Sequence, residues 1–89
     1  MAIRSMTVGE DMLIDRLKEW RRRRAKAEGV PATGIFLDRT LGEIARRMPK
    51  DWADLAAISG INPAKLDRYA DDVLHIVAAS SPRARLPGQ

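Results

Sequence analysis

Arg16, Lys18, Arg21, Arg22, Arg23, Arg24 and Lys26 place seven cationic side chains within residues 16–26, with Glu19 as the one carboxylate among them. That segment carries a net +6, so the rest of the chain, against a total of +4, sums to −2. Guanidinium and ammonium groups crowded in this way bind polyanions, above all a nucleic-acid backbone. Lys18, Arg22 and Lys26 recur every fourth residue, which on a helix stacks three like charges in one outward stripe. The same pattern also fits a solvated face whose last-turn cations complement the helix macrodipole. Arg24 falls among Leu13, Leu17 and Trp20 on a helical wheel, so its stem is expected to cover core while its guanidinium finds an acid or water. Arg21 lies at the margin of that face and fits either role.

A second candidate is Ile58-Ser59-Gly60-Ile61-Asn62-Pro63-Ala64-Lys65, which resembles half of a helix-hairpin-helix. Such a turn aims backbone amides at a phosphate, with Lys65 and Arg68 nearby on exposed positions. An ordinary helix connector capped by Asn62 reads the same way. Catalytic chemistry has little to work with. His75 is the sole histidine and the chain has no cysteine, so neither a metal centre nor a disulfide is expected. Asp67, Asp71 and Asp72 read as solvated charge. No Ser-His-Asp set, phosphate loop or cofactor fingerprint is present, and neither a catalytic residue nor a cofactor is expected.

The elements that must carry these groups are helical. Eighty-nine residues with 45% hydrophobic composition suit a single small domain. No apolar run approaches the ~20 residues of a membrane span, and Met1 to Gly9 lacks the apolar stretch of a secretory signal. Residues 1–6 read as a disordered leader, 7–79 as the domain and 80–89 as a flexible tail. The short length and linker-like ends suggest a piece of a longer protein. Thr7 and Glu10 have capping-box spacing, and Leu13, Leu17 and Trp20 then hold one face of a helix from about Val8 to Glu28, stopped at Gly29. Val30 to Leu37 reads as an irregular connector. Asp38 is expected to cap a second helix carrying Leu41, Ile44, Ala45 and Met48, ended by Pro49. Asp51 caps a third, short helix with Trp52, Leu55 and Ile58 inward. Asn62-Pro63 starts the last, which buries Leu66, Tyr69, Ala70, Val73, Leu74 and Val77. Trp20, Trp52 and Tyr69 are expected in the core. The fold class is all-α, a compact single-domain bundle of four to five short helices.

Read in order, Leu17-x-x-Trp20-Arg21, Gly29-Val30-Pro31, Ile35-Phe36-x-Asp38-x-Thr40-Leu41, Ile44-Ala45 and Ile58-x-Gly60-Ile61-x-x-Ala64-Lys65-Leu66-x-x-Tyr69 resemble the HRDC domain, the helicase-and-RNase-D C-terminal module, over residues 10–78. The resemblance implies a helical bundle appended to RecQ-type helicases, some UvrD-type helicases or RNase D. Its implied role is auxiliary and non-catalytic: helping the parent protein hold and choose its nucleic-acid substrate in DNA repair and recombination. The Ile35-to-Leu41 stretch looks most like the RecQ-type members. The family's topology puts Thr33 and Arg39 beside the end of the first helix, where with Arg22 and Lys26 they form one surface. The expected nucleic-acid-binding set is Lys18, Arg21, Arg22, Lys26, Thr33, Arg39, Lys65 and Arg68. The implied partners are single-stranded or junction DNA and the parent helicase core, with the domain a cytoplasmic monomer, nucleoid-associated in a bacterium. An alternative is a protein-interaction module with little DNA binding of its own. Thr33 replaces an aromatic that some members set against single-stranded DNA, so base stacking there is lost.

Overall fold

The structure, a computed structural model, describes residues 8–80. Five helices follow one another: α1 Val8–Glu28, α2 Ala32–Ile35, α3 Asp38–Arg47, α4 Trp52–Ala56 and α5 Pro63–Ser80, with no strand among the described residues. Thr7 of the capping box, the leader and residues 81–89 of the expected tail lie outside the described residues, whereas Ser80, expected as the first tail residue, is the last residue of α5.

α1 is the axis of the molecule. Leu13 and Leu17 point from it into the core at 0% exposure, four residues apart on one face. It ends in a Schellman motif: Gly29 takes φ 70°, and the Val30 N–H reaches the Ala25 carbonyl at 3.0 Å while the Gly29 N–H reaches that of Lys26 at 3.3 Å. Those bonds satisfy carbonyls that the helix end would otherwise leave orphaned. α5 runs antiparallel to α1. Moving up α1, Arg16 meets Ser80, Trp20 meets Asp72 and Glu28 meets Tyr69. α3 is also antiparallel to α1, since Arg21 bonds Asp38 at its start and Glu10 acts electrostatically on Arg46 near its end.

Between these helices Ile35, Phe36, Leu41, Ile44, Leu55, Ile58, Tyr69, Val73 and Val77 close one apolar core. At its edge the half-buried Trp20 packs ring against ring with the buried Phe36 and Tyr69, with centroids 5.6–6.1 Å apart. Asn62 caps α5 as expected, its Oδ1 accepting the Lys65 N–H at 2.8 Å, and Asp51 caps α4 through the Asp54 N–H at 2.9 Å. The turn before α5 presses on α3. Gly60 has φ 95°, and a Cβ there would sit 2.5 Å from the Thr40 Oγ1, so that backbone approach demands glycine.

Three expectations change. The connector after Gly29 contains a one-turn helix, α2, where the sequence suggested irregular chain. Asp38 is the first helical residue of α3, and Leu37 holds the cap position with no side-chain cap bond, since leucine has no acceptor to offer; the Asp38 carboxylate bonds Arg21. Trp52 is 45% exposed. Its inward assignment rested on helical spacing from Trp52 to Ile58, but α4 lasts only five residues, so that spacing has no second turn to act through.

Candidate nucleic-acid interface

The wheel of α1 divides its cations. Arg21 follows Leu13 and Leu17 on the buried face and is itself only 8% exposed. Its Nη1 donates to the Phe36 carbonyl and its Nη2 to the Asp38 Oδ1, both at 2.7 Å. The sequence left Arg21 free to face phosphate; the structure removes it from that surface, because its fork ties the connector and the start of α3 to α1. The Arg21 bond holds the Asp38 carboxyl below its ordinary range.

The rest of the arginine run is answered by carboxylates. Arg22 makes two bonds to Glu19, at 2.6 and 3.2 Å, which lower the Glu19 carboxyl. Arg23 stands 3.7 Å from the same carboxylate, so Glu19 relieves Arg22 first and Arg23 second. The Arg22 pair is solvent-exposed on both sides and exchanges partners easily. Arg24 behaves as its position on the wheel required: its Nε bonds the Glu28 Oε2 at 2.8 Å, and its guanidinium lies over the Tyr69 ring at 5.5 Å.

Glu28 is the hub that sequence reasoning missed, although its i, i+4 spacing from Arg24 was readable. It accepts the Tyr69 hydroxyl and the Arg24 Nε, each at 2.8 Å, and forms an ion pair with the Arg68 Nη2 at 3.3 Å. The Arg68 guanidinium covers Tyr69 at 5.7 Å. Arg68, expected among the phosphate ligands, therefore has its charge compensated within a clasp between the end of α1 and the start of α5. The Tyr69 bond first, and the arginines after it, hold the Glu28 carboxyl below its ordinary value.

This clasp has a pH signature. A carboxylate depressed in the fold contributes stability above the ordinary glutamate pKa of about 4.3, and that contribution is lost as pH falls through the depressed value. Urea unfolding from neutral pH to about pH 3 should show wild-type stability falling in that acid window. Glu28→Gln should start less stable at neutral pH and fall less steeply. It keeps a shallower slope because Glu19, Asp38 and Glu43 are also depressed. An unchanged acid slope in Glu28→Gln would count against the clasp.

Four of the cations expected from sequence have no ion pair among the described residues: Lys18, Lys26, Arg39 and Lys65. Lys65 stands at 5.7 Å over the ring of Phe36, the residue whose carbonyl Arg21 holds. Arg39 directly follows the tied Asp38, and Lys18 is close enough to lower the Asp38 carboxyl. Three helices thus converge Lys18, Arg39 and Lys65 on residues 36–39, while Arg22 and Lys26 continue along the exposed side of α1. Thr33 is exposed on α2. Lys50, not singled out from sequence, is a further exposed cation whose ammonium has no ion pair among the described residues.

The opposite margin of α1 differs in chemistry. A groove of about 580 Å³ between α1 and α5 is floored by Trp20 and Ile76, but Arg16 and Arg23 there are offset by Asp15, Glu19 and Asp72. It offers no excess charge to a polyanion. No group of three or more potential metal ligands occurs among the described residues, and none of their helices is long and apolar enough to cross a membrane.

The HRDC domain family profile matches residues 10–77. The chain is 47% identical over 70 residues to the ATP-dependent DNA helicase UvrD2 of Mycobacterium tuberculosis, covering 79% of this chain and 10% of the helicase. It is 35% identical over 65 residues to the ATP-dependent DNA helicase RecQ of Pasteurella multocida, covering 73% of this chain and 10% of that protein. With the ribonuclease D of Pseudomonas paraeruginosa it shares 34% over 68 residues, 76% of this chain and 17% of the relative. The chain therefore spans about a tenth of the length of the helicases it matches. Of these, UvrD2 shares more identity than RecQ. The Ile35-to-Leu41 stretch that pointed to RecQ-type members discriminates poorly, since Ile35, Phe36, Thr40 and Leu41 are buried and Asp38 holds Arg21. Any member with this packing needs similar residues there.

Proposed function

Because the chain belongs to the HRDC domain family, we propose that it is the non-catalytic accessory domain of a longer DNA helicase, holding single-stranded or structured DNA through its phosphates. The carrying observation is the set of four cations without ion pairs among the described residues, Lys18, Lys26, Arg39 and Lys65. Three of them gather at residues 36–39, with Arg22 as an exchangeable fifth. The host in this reading is a UvrD-type helicase, favoured by 47% identity against 35% for RecQ. The domain acts as a cytoplasmic monomer that steers substrate to the motor.

Binding of this kind is electrostatic and weakly selective for sequence. Four contacts on a single strand give a slope of log K against log salt of about −2.8, from about −0.7 for each phosphate. Fluorescence anisotropy of a labelled 15-nucleotide oligothymidylate across a salt series measures it. No saturable binding, or a slope shallower than about −1, defeats the reading.

A second reading, docking on the parent helicase core or another protein, is favoured by one observation. Trp52 leaves 45% of its surface exposed, and Lys50, Asp51 and Asp54 flank it in both signs. An exposed indole within a rim of mixed charge suits a protein surface better than a polyphosphate. That reading predicts no saturable DNA binding at physiological salt.

A further inference from the structure

We propose that Arg21 is a positioning residue for the phosphate surface: it cancels the Asp38 charge from beneath that surface and never touches a phosphate itself. This rests on the nucleic-acid reading above and assigns a role to a residue that the sequence placed among the direct ligands.

The Asp38 side chain is 71% exposed, whereas that of Arg21 is 10% exposed. The carboxylate is therefore presented outward while its neutralising guanidinium is hidden below it. Asp38 sits where a phosphate strand would run. Arg39 is its neighbour in sequence, Lys18 acts on it electrostatically, and Lys65 covers Phe36 two residues earlier. An unanswered carboxylate at that place repels the strand that those three cations attract.

Arginine suits the position because one rigid fork must reach two acceptors, the Phe36 carbonyl and the Asp38 Oδ1. A lysine ammonium, a compact charge on a flexible stem, does not reproduce that planar geometry. The fit is tight enough that the Arg21 Nε is buried without a hydrogen-bond partner. That unmet donor is tolerated while the two outer nitrogens are held, so the side chain serves the clamp and cannot swing out to a ligand. Arg21 thus does two things at once. It fixes the backbone that carries Arg39 and supports Lys65, and it removes a negative charge from their midst.

Anisotropy with the same oligothymidylate on the whole 89-residue chain tests this through rescue. Arg21→Met should weaken binding about three- to tenfold at low salt, because it leaves Asp38 uncancelled. Adding Asp38→Asn to it should restore most of that loss, since the repelling charge is then gone, and the part not restored reports the lost hold on the Phe36 carbonyl. A direct phosphate ligand behaves otherwise: its loss flattens the salt slope by about 0.7 and Asp38→Asn does not recover it. A merely structural strut is not rescued either. Asp38→Asn alone keeps the test decisive should Arg21→Met fail to fold, because it must bind as tightly as wild type or tighter. Weaker binding by Asp38→Asn, or no rescue in the folded double variant, overturns the proposal while leaving wild-type binding intact. Absence of wild-type binding overturns this inference together with the reading beneath it.

Discussion

Replacing Leu17 with alanine is expected to cost about 2–5 kcal/mol of folding stability, the range for emptying a fully buried leucine site. Leu17 is 0% exposed and lies one turn before Arg21 on the inward face of α1, from which both α3 and α5 take their position. The loss combines the transfer of the side chain with a cavity that the surrounding aliphatic groups cannot fully close. A domain of this size has a total stability of roughly 4–10 kcal/mol, so the substitution removes a large fraction of it. Urea unfolding followed by far-ultraviolet circular dichroism gives the value. A cost below about 1 kcal/mol would mean that this face of α1 is not packed as described.

The second large effect concerns binding. Lys18→Ala, Lys26→Ala, Arg39→Ala and Lys65→Ala combined should lower single-strand affinity by roughly two orders of magnitude at 0.15 M salt. Each of the four contacts is worth about 0.6 log units there on a slope of −0.7. The salt dependence should nearly vanish with it. The paired arginines offer the contrast. Arg22→Ala with Arg23→Ala removes two charges from the same helix, yet Glu19 already answers both. Because a phosphate must first displace that carboxylate, the double variant should lose far less affinity than the quadruple one. Anisotropy over the same salt series reads both. Equal losses would show that total positive charge matters and that the distinction between paired and unpaired cations does not.

That distinction separates what could be read along the chain from what could not. The Leu13–Leu17 spacing, Gly29 before Pro31, the Asp51 and Asn62 caps and the Tyr69–Val73–Val77 stripe each act within about two turns of helix. Local bonding and periodicity therefore settle them wherever the helix is long enough. Arg24 turning inward toward an acid follows from the same wheel. Where a helix is too short to impose its period, as in α4, spacing misleads, and Trp52 ends up on the surface.

Helical order, the core face of α1 and the local surplus of cations were determined by the sequence alone, because hydrophobic period and net charge are properties of neighbours in the chain. Which of those cations remain available was decided by the tertiary structure. Asp38 lies 17 residues from Arg21 and Tyr69 lies 41 from Glu28; only packing α3 and α5 against α1 brings them within bonding distance. A charge is free or spent according to what folds beside it, and that is a matter of three-dimensional neighbours.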